Sequence, residues 1–220
     1  MKIQKPQLII YDLNETLVSS ERVYLETFNT LLSRYDFPKV NKQYMDYIHD
    51  MSFEDVFDAW FGRKIRKAIW QEYELYYKTC SYNYLIPIHN SLEFVKYCNS
   101  LGIPQVIITN KPSFVALPEI KRLGYYNYIN ILIGNECGVQ KASTEMLDLI
   151  LTKLNLLDKK SVICNPENLW IIGNSHQEIE FAIINNAKLL FCGKHTSLQE
   201  PINNNVIFIK QFSSIEFFNI

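Results

Sequence analysis

The stretch L-I-I-Y-D-L-N-E-T-L, Leu8 to Leu17, decides how the rest of the chain is read. Its first four residues form a continuous apolar run, long enough for a strand and too short for a helix, and the run stops at an acid. An apolar run without polar alternation is the pattern of a strand buried on both faces, as in a parallel sheet covered by helices. Asp12 then stands just past the strand's carboxyl end, where open α/β sheets bind their ligands.

The same pattern returns further along. Gln105 to Ile108 reads as a second buried strand ending at Thr109-Asn110-Lys111, and Ile129 to Ile133 as a third. Leu169 to Ile172 is a fourth, ending at Gly173-Asn174-Ser175, with Lys188 to Cys192 and Val206 to Ile209 completing the series. Between them lie helical spacings. Asn90 caps a helix carrying Phe94, Val95, Cys98 and Leu101, closed by Gly102. A helix interrupted by Pro118 follows, then Thr144 to Leu154 and Gln177 to Asn186. Strands alternating with helices predict a parallel α/β sheet.

From residue 18 to 84 no strand pattern occurs. Ser20 precedes a helix with Tyr24, Phe28, Leu31, Leu32 and Tyr35 on one side. Ser52-Phe53-Glu54-Asp55 has capping-box spacing before Val56, Trp60 and Phe61, and Arg63 to Thr79 carries Ile65, Ile69, Tyr73 and Tyr76. The expected organisation is an α/β core over 1–17 and 85–220, with a helical module over 18–84 inserted after the first strand. Its aromatic residues read as core, and Arg63, Lys64, Arg66 and Lys67 as a solvated helix face.

Composition narrows the function classes. At 220 residues, with 48% hydrophobic and 20% charged, the chain supports one sizeable core with a modest insertion. Its 22 basic and 23 acidic residues form no basic run, which argues against a nucleic-acid or anionic-membrane surface. The start M-K-I-Q-K-P lacks a signal-peptide apolar region, and no apolar stretch approaches the roughly 18 residues of a membrane span. Five dispersed cysteines without a C-x-x-C pair read as reduced thiols of a cytoplasmic protein, and four scattered histidines argue against zinc.

Four motifs in order then make the chain similar to the haloacid dehalogenase-like (HAD) superfamily, in particular its phosphoglycolate phosphatase-like branch. They are Asp12-Leu13-Asn14-Glu15-Thr16-Leu17, against the family's D-x-D-G-T-L; the strand-end Thr109 with Asn110 and Lys111; Lys141, expected to open a helix; and Gly173-Asn174-Ser175-His176-Gln177-Glu178, against G-D-S-x-x-D. The resemblance implies a Rossmann-like parallel-sheet core with a helical cap inserted after the first strand. It also implies hydrolysis of a small phosphomonoester, a phosphorylated metabolite, through an aspartyl-phosphate on Asp12. Thr109 and Lys141 would hold the phosphoryl oxygens, and Thr16, Asn110 and Lys111 would contact phosphate or substrate. Mg²⁺ would be held by Asp12, by the backbone carbonyl of Asn14, and by Asn174 and Glu178.

Four positions depart from the family. Asn14 stands where an acid protonates the leaving group, and Asn174 where the principal magnesium carboxylate belongs. Glu15 replaces a glycine, and Glu178 is one methylene longer than the usual aspartate. Weakened phosphatase activity is therefore the leading expectation. The alternative is a catalytically silent relative serving as a phosphate-ligand or protein-binding module, its protein partner unknown. Dehalogenase chemistry, which does without magnesium and without the second acid and so would fit Asn14 but whose substrate arginine has no evident counterpart, and a phosphonatase-type cap lysine are the more distant readings. His176 reads as a surface loop residue.

Overall fold

The computed structural model describes residues 5–44, 66–158, 164–192, 205–209 and 212, with backbone alone at 66–68 and 158. In chain order its elements are β1 (Leu8–Tyr11), β2 (Val18–Ser19), α1 (Glu21–Arg34), α2 (Arg66–Tyr84), β3 (Ile86–Pro87), α3 (Ser91–Ser100) and β4 (Gln105–Ile108). There follow α4 (Ser113–Arg122), β5 (Ile131–Ile133), α5 (Thr144–Asp158), β6 (Leu169–Gly173), α6 (His176–Ile184), β7 (Lys188–Phe191) and β8 (Val206–Phe208). The chain divides into two compact units, Met1–Val18 with Pro87–Ile220, and Ser19–Ile86.

The larger unit is built on one six-stranded sheet, ordered β5-β4-β1-β6-β7-β8, with every neighbouring pair parallel. All four residues of β1 are fully buried, because alternate side chains enter cores on opposite faces. Leu8 and Ile10 join Val106, Ile108, Met146, Ile150, Leu154, Ile171 and Phe181 beneath α5 and α6. On the opposite face Tyr11 meets Phe94 of α3 edge-on, with ring centroids 6.3 Å apart. The Tyr11 hydroxyl donates to Gln105 Oε1 at 2.7 Å, and Gln105 Nε2 donates to the carbonyls of Val95 and Tyr128. The side-chain polar atoms of Tyr11 and Gln105 are thereby all partnered, as the low dielectric of a core demands.

Elements fall close to their expected positions, and the differences have local causes. β5 starts at Ile131 rather than Ile129, because Tyr126–Tyr128 form a 3₁₀ turn and Asn130 Oδ1 accepts from the Gln105 amide. Ser20 and Asn90 do precede helices, yet neither side chain makes a capping bond; Asn90 instead turns the chain with φ +62°. Gly102 sits just beyond α3 with φ +69°, the left-handed position that favours glycine. α5 extends to Asp158 and α2 to Tyr84, past their expected ends. The expected capping box at Ser52–Asp55, with Val56, Trp60 and Phe61, lies outside the described residues.

In the smaller unit α1 and α2 are joined by aromatic packing. Phe28 and Tyr24 stack on Tyr73 and Tyr77, each pair with centroids 5.6 Å apart, and Arg34 pairs with Glu72 at 2.7 Å. Val23 and Thr27, rather than Tyr24 and Tyr35, complete the buried face of α1.

One buried cluster fixes the loop after β1. The Leu17 carbonyl accepts from the Tyr125 hydroxyl at 2.8 Å, from Ser91 Oγ at 2.8 Å and from the Ile88 amide at 2.9 Å. Removing one hydroxyl leaves the carbonyl partly satisfied, so Tyr125→Phe is expected to lower the unfolding free energy by about 1 kcal/mol in a urea titration. A change near zero would show that the tether carries no stability.

Candidate active site

Parallel strands in one sheet bring their carboxyl ends to a common edge. The chain runs from β1 to β4 and β5 on one side, then crosses to β6, β7 and β8 on the other, so the winding reverses at β1. Ligands of open α/β sheets bind at such a reversal. Asp12 stands there, its backbone N–H donating to the Ile172 carbonyl at 2.9 Å. Thr109 follows β4, Asn174 follows β6 and Cys192 follows β7.

The loop leaving Asp12 is tightly folded. The amides of Leu17 and Val18 both donate to the Leu13 carbonyl, at 3.0 and 3.1 Å, and the Glu15 amide donates to the Val18 carbonyl at 2.8 Å. Glu15 takes φ +53°, a left-handed conformation. A side chain there costs roughly 1–2 kcal/mol, which explains why glycine suits the position and why glutamate is still accommodated.

Asp12, Lys141 and Glu178 form the charged centre. Lys141 Nζ lies 2.5 Å from Asp12 Oδ1 and 2.7 Å from Glu178 Oε1, and all three side chains are largely buried. Lys141 does not open a helix as expected. It sits in the loop ahead of α5, which starts at Thr144, and this loop position lets its side chain reach back to the strand ends. Burial alone would lower the Lys141 pKa, but the two flanking carboxylates outweigh it and hold the ammonium charged. Burial pushes the Asp12 carboxyl up, against the pull of Lys141. Glu178 is held low despite burial, because Lys141 and the Ser175 hydrogen bonds stabilise its charged form.

The other expected site residues fall in three places. Thr16 is fully buried and its hydroxyl donates to Asn174 Oδ1 at 3.2 Å, joining the first and fourth motifs. Thr109 is buried, and its Oγ1 accepts from the Lys111 amide at 3.2 Å. Asn110 turns to the exposed rim, where Nδ2 donates to Gln177 Oε1 at 3.0 Å, and His176 is exposed beside it. The Lys111 ammonium is buried against Glu119 Oε2 at 2.7 Å.

Two features escaped the sequence reading. Glu119 had a signal: in α4 it shares the buried i, i+3, i+4 face of Ala116 and Ile120, so an acid occupies a core position. Cys192 had none, since only the sheet order brings it against Gly173 and Thr16; its Sγ lies 3.2 Å from the Gly173 carbonyl, and burial pushes its pKa up to about 12.

The donors suit a hard divalent cation in kind. The Asp12 carboxylate and the carbonyl oxygens of Asn14 and Asn174 are oxygen ligands of the type such ions prefer. Their charge is low, and among the described residues no group of three or more His, Cys, Asp and Glu side chains is arranged to hold a metal.

The fold has counterparts among solved structures. The chain superimposes on a predicted phosphoglycolate phosphatase from Haemophilus somnus with TM-score 0.73 and 18% identity, over 97% of each chain. A haloacid dehalogenase-like family protein of Streptococcus pneumoniae gives TM-score 0.68 and 19% identity, covering 88% of this chain and 89% of the other. YfnB of Bacillus subtilis, solved bound to magnesium, gives TM-score 0.72 and 13% identity over 96% and 97%. At such identities the likeness establishes the fold. No curated protein matches the sequence. The sequence profile of the haloacid dehalogenase-like hydrolases, however, matches residues 9–191 of the 220, and this chain belongs to that family.

Proposed function

We propose that this hydrolase cleaves a small phosphomonoester through Asp12, slowly on substrates with poor leaving groups. The observation that carries the reading is the contact of Lys141 Nζ with Asp12 Oδ1 at 2.5 Å, at the sheet's switch point. A phosphoryl group arriving there meets a carboxylate nucleophile beside a fixed positive charge. Attack forms a bond between an Asp12 oxygen and phosphorus as the bond to the leaving oxygen breaks. Water then displaces phosphate from the aspartyl-phosphate and restores the carboxylate. Lys141 and the Thr109 hydroxyl offset the charge on the phosphoryl oxygens. Mg²⁺, when bound, would be held by Asp12, the Asn14 carbonyl, Asn174 and Glu178, and would neutralise phosphate charge. The phosphatase named among the structural relatives, and the magnesium found with YfnB, support this choice.

A second reading has its own observation. The Asn174 oxygen already accepts from Thr16, and Asn14 carries no acid, so the site also suits a protein that binds phosphate without turnover. An aryl phosphate assay with and without Mg²⁺ separates the two. Turnover that needs Mg²⁺ and disappears in Asp12→Asn is the expected result. An inactive wild type that binds inorganic phosphate would establish the second reading, and activity surviving in Asp12→Asn would overturn both.

A further inference from the structure

The two groups assigned to the phosphoryl oxygens come from separate loops. Thr109 opens the loop 109–112 between β4 and α4, and Lys141 lies in the loop 134–143 between β5 and α5. The β4–β5 ladder ends with the Thr109 N–H donating to the Ile133 carbonyl at 2.9 Å, so beyond that bond other contacts set one loop against the other. The backbone of Lys111 supplies two of them. Its N–H donates to Thr109 Oγ1 at 3.2 Å, and its carbonyl accepts from the Asn135 N–H at 3.1 Å.

Glu136 supplies the rest. Its Oε2 accepts from the Ser113 N–H at 2.9 Å, and its Oε1 accepts from the Ser113 hydroxyl. Ser113 opens α4, and the cap position before it is Pro112, which has extended angles (φ −58°, ψ 139°) but no side-chain acceptor. Helix α4 therefore takes its terminal acceptor from a different loop, and an acid suits the positive end of a helix. The two loops meet so closely that residue 134 has no space for a side chain. A Cβ built on Gly134 would stand 2.7 Å from the Lys111 carbonyl oxygen and press on Glu136 Oε2 and the Ser113 nitrogen. Gly134 is extended at φ −97°, so close approach rather than backbone conformation calls for glycine. From Glu136 the chain completes a 3₁₀ turn (Asn135–Cys137), bends at Gly138 with φ +72°, and runs on to Lys141 in the same loop.

We infer that Glu136 is a positioning residue for phosphoryl transfer: it locks the Thr109 loop to the Lys141 loop, so that hydroxyl and ammonium meet the substrate as one fixed pair. The inference rests on the phosphatase reading for what Thr109 and Lys141 do, and on the contacts between the loops for what Glu136 does. A glutamate acting only as a helix cap would stabilise α4 and leave the Lys141 loop unaffected, and experiment separates the two roles.

Glu136→Ala removes both bonds, and Glu136→Gln keeps the length and an oxygen for the Ser113 N–H. Glu136 is exposed, so neither change opens a cavity. Combining Glu136→Ala with Pro112→Asp gives α4 a cap of its own without rejoining the loops. Amide hydrogen exchange, read by mass spectrometry on peptides covering 109–113 and 134–143, reports on the tether without turnover. In Glu136→Ala both peptides are expected to exchange about tenfold faster than in wild type. The double variant should regain the thermal midpoint of wild type and still exchange fast at 134–143. In the aryl phosphate assay Glu136→Ala is expected to lower kcat by about 10–100-fold with KM little changed, the usual cost of displacing groups that act on the reacting centre. Glu136→Gln should restore most of that kcat, and the double variant should stay slow. Full recovery of kcat in the double variant, or faster exchange confined to 109–113, would overturn the assignment and leave Glu136 a helix cap. A wild type that turns over no phosphate would sink the phosphatase reading, and exchange at 134–143 would still decide whether Glu136 joins the loops.

Discussion

Asn14→Asp is expected to raise turnover of an alkyl phosphate by about 10²–10⁴-fold, the usual worth of general acid–base help. The wild-type amide can donate a hydrogen bond but cannot surrender a proton to a departing alkoxide near neutral pH. An aryl oxide needs that proton far less, so the variant should gain much less on an aryl phosphate. The loop bonds Leu17 N–H to Leu13, Val18 N–H to Leu13 and Glu15 N–H to Val18 hold the backbone independently of the side chain at 14, so a near-isosteric change leaves Asp12 in place. The same missing group would later activate water. Wild-type enzyme given a good leaving group should therefore accumulate the aspartyl-phosphate, seen as a burst of product and as a phosphorylated species after acid quench. Initial rates across phosphates of graded leaving-group acidity measure both effects. Equal gains on alkyl and aryl substrates would show that residue 14 does not act on the leaving group.

The sheet was legible because its strands are buried on both faces. Leu8–Tyr11, Gln105–Ile108 and Leu169–Gly173 need apolar residues at every position, and such runs are visible without any structure. Strand-end residues follow from strand ends, so Asp12, Thr109 and Asn174 were found with them. The contacts of long polar side chains were not legible, because they depend on which loop reaches which edge. Lys141 was expected at a helix start; it reaches Asp12 and Glu178 because it remains in a loop. Glu178 was read as a metal acid, and the further contacts of its side chain, one oxygen with Ser175 and the other with Lys141, depend on the fold.

Glu119→Gln is expected to cost about 3–5 kcal/mol of stability, the penalty for removing one partner of a buried ion pair. Lys111 and Glu119 are 4% and 5% exposed at 2.7 Å separation, so the lysine left behind cannot turn to bulk water in place. The pH dependence has a definite sign. Burial outweighs the attraction of Glu119 and holds Lys111 below the ordinary lysine range. In that window the folded protein binds fewer protons than the unfolded chain, so stability rises with pH. Without the Glu119 charge the Lys111 pKa falls further. The variant's deficit should then be largest near neutral pH and shrink towards about pH 10, as the lysine sheds its proton. Urea titrations across that range measure it, and a deficit under about 1 kcal/mol at neutral pH would mean that water reaches the pair. The double variant Lys111→Met with Glu119→Leu removes both charges at once and should recover most of the loss, because the pair's own desolvation cost disappears with it. If that folded double variant also binds inorganic phosphate as tightly as wild type, Lys111 belongs to the scaffold. If phosphate affinity falls, the second cation at this edge contributes to phosphate binding, and Glu119 is retained at a buried position because it holds that cation there.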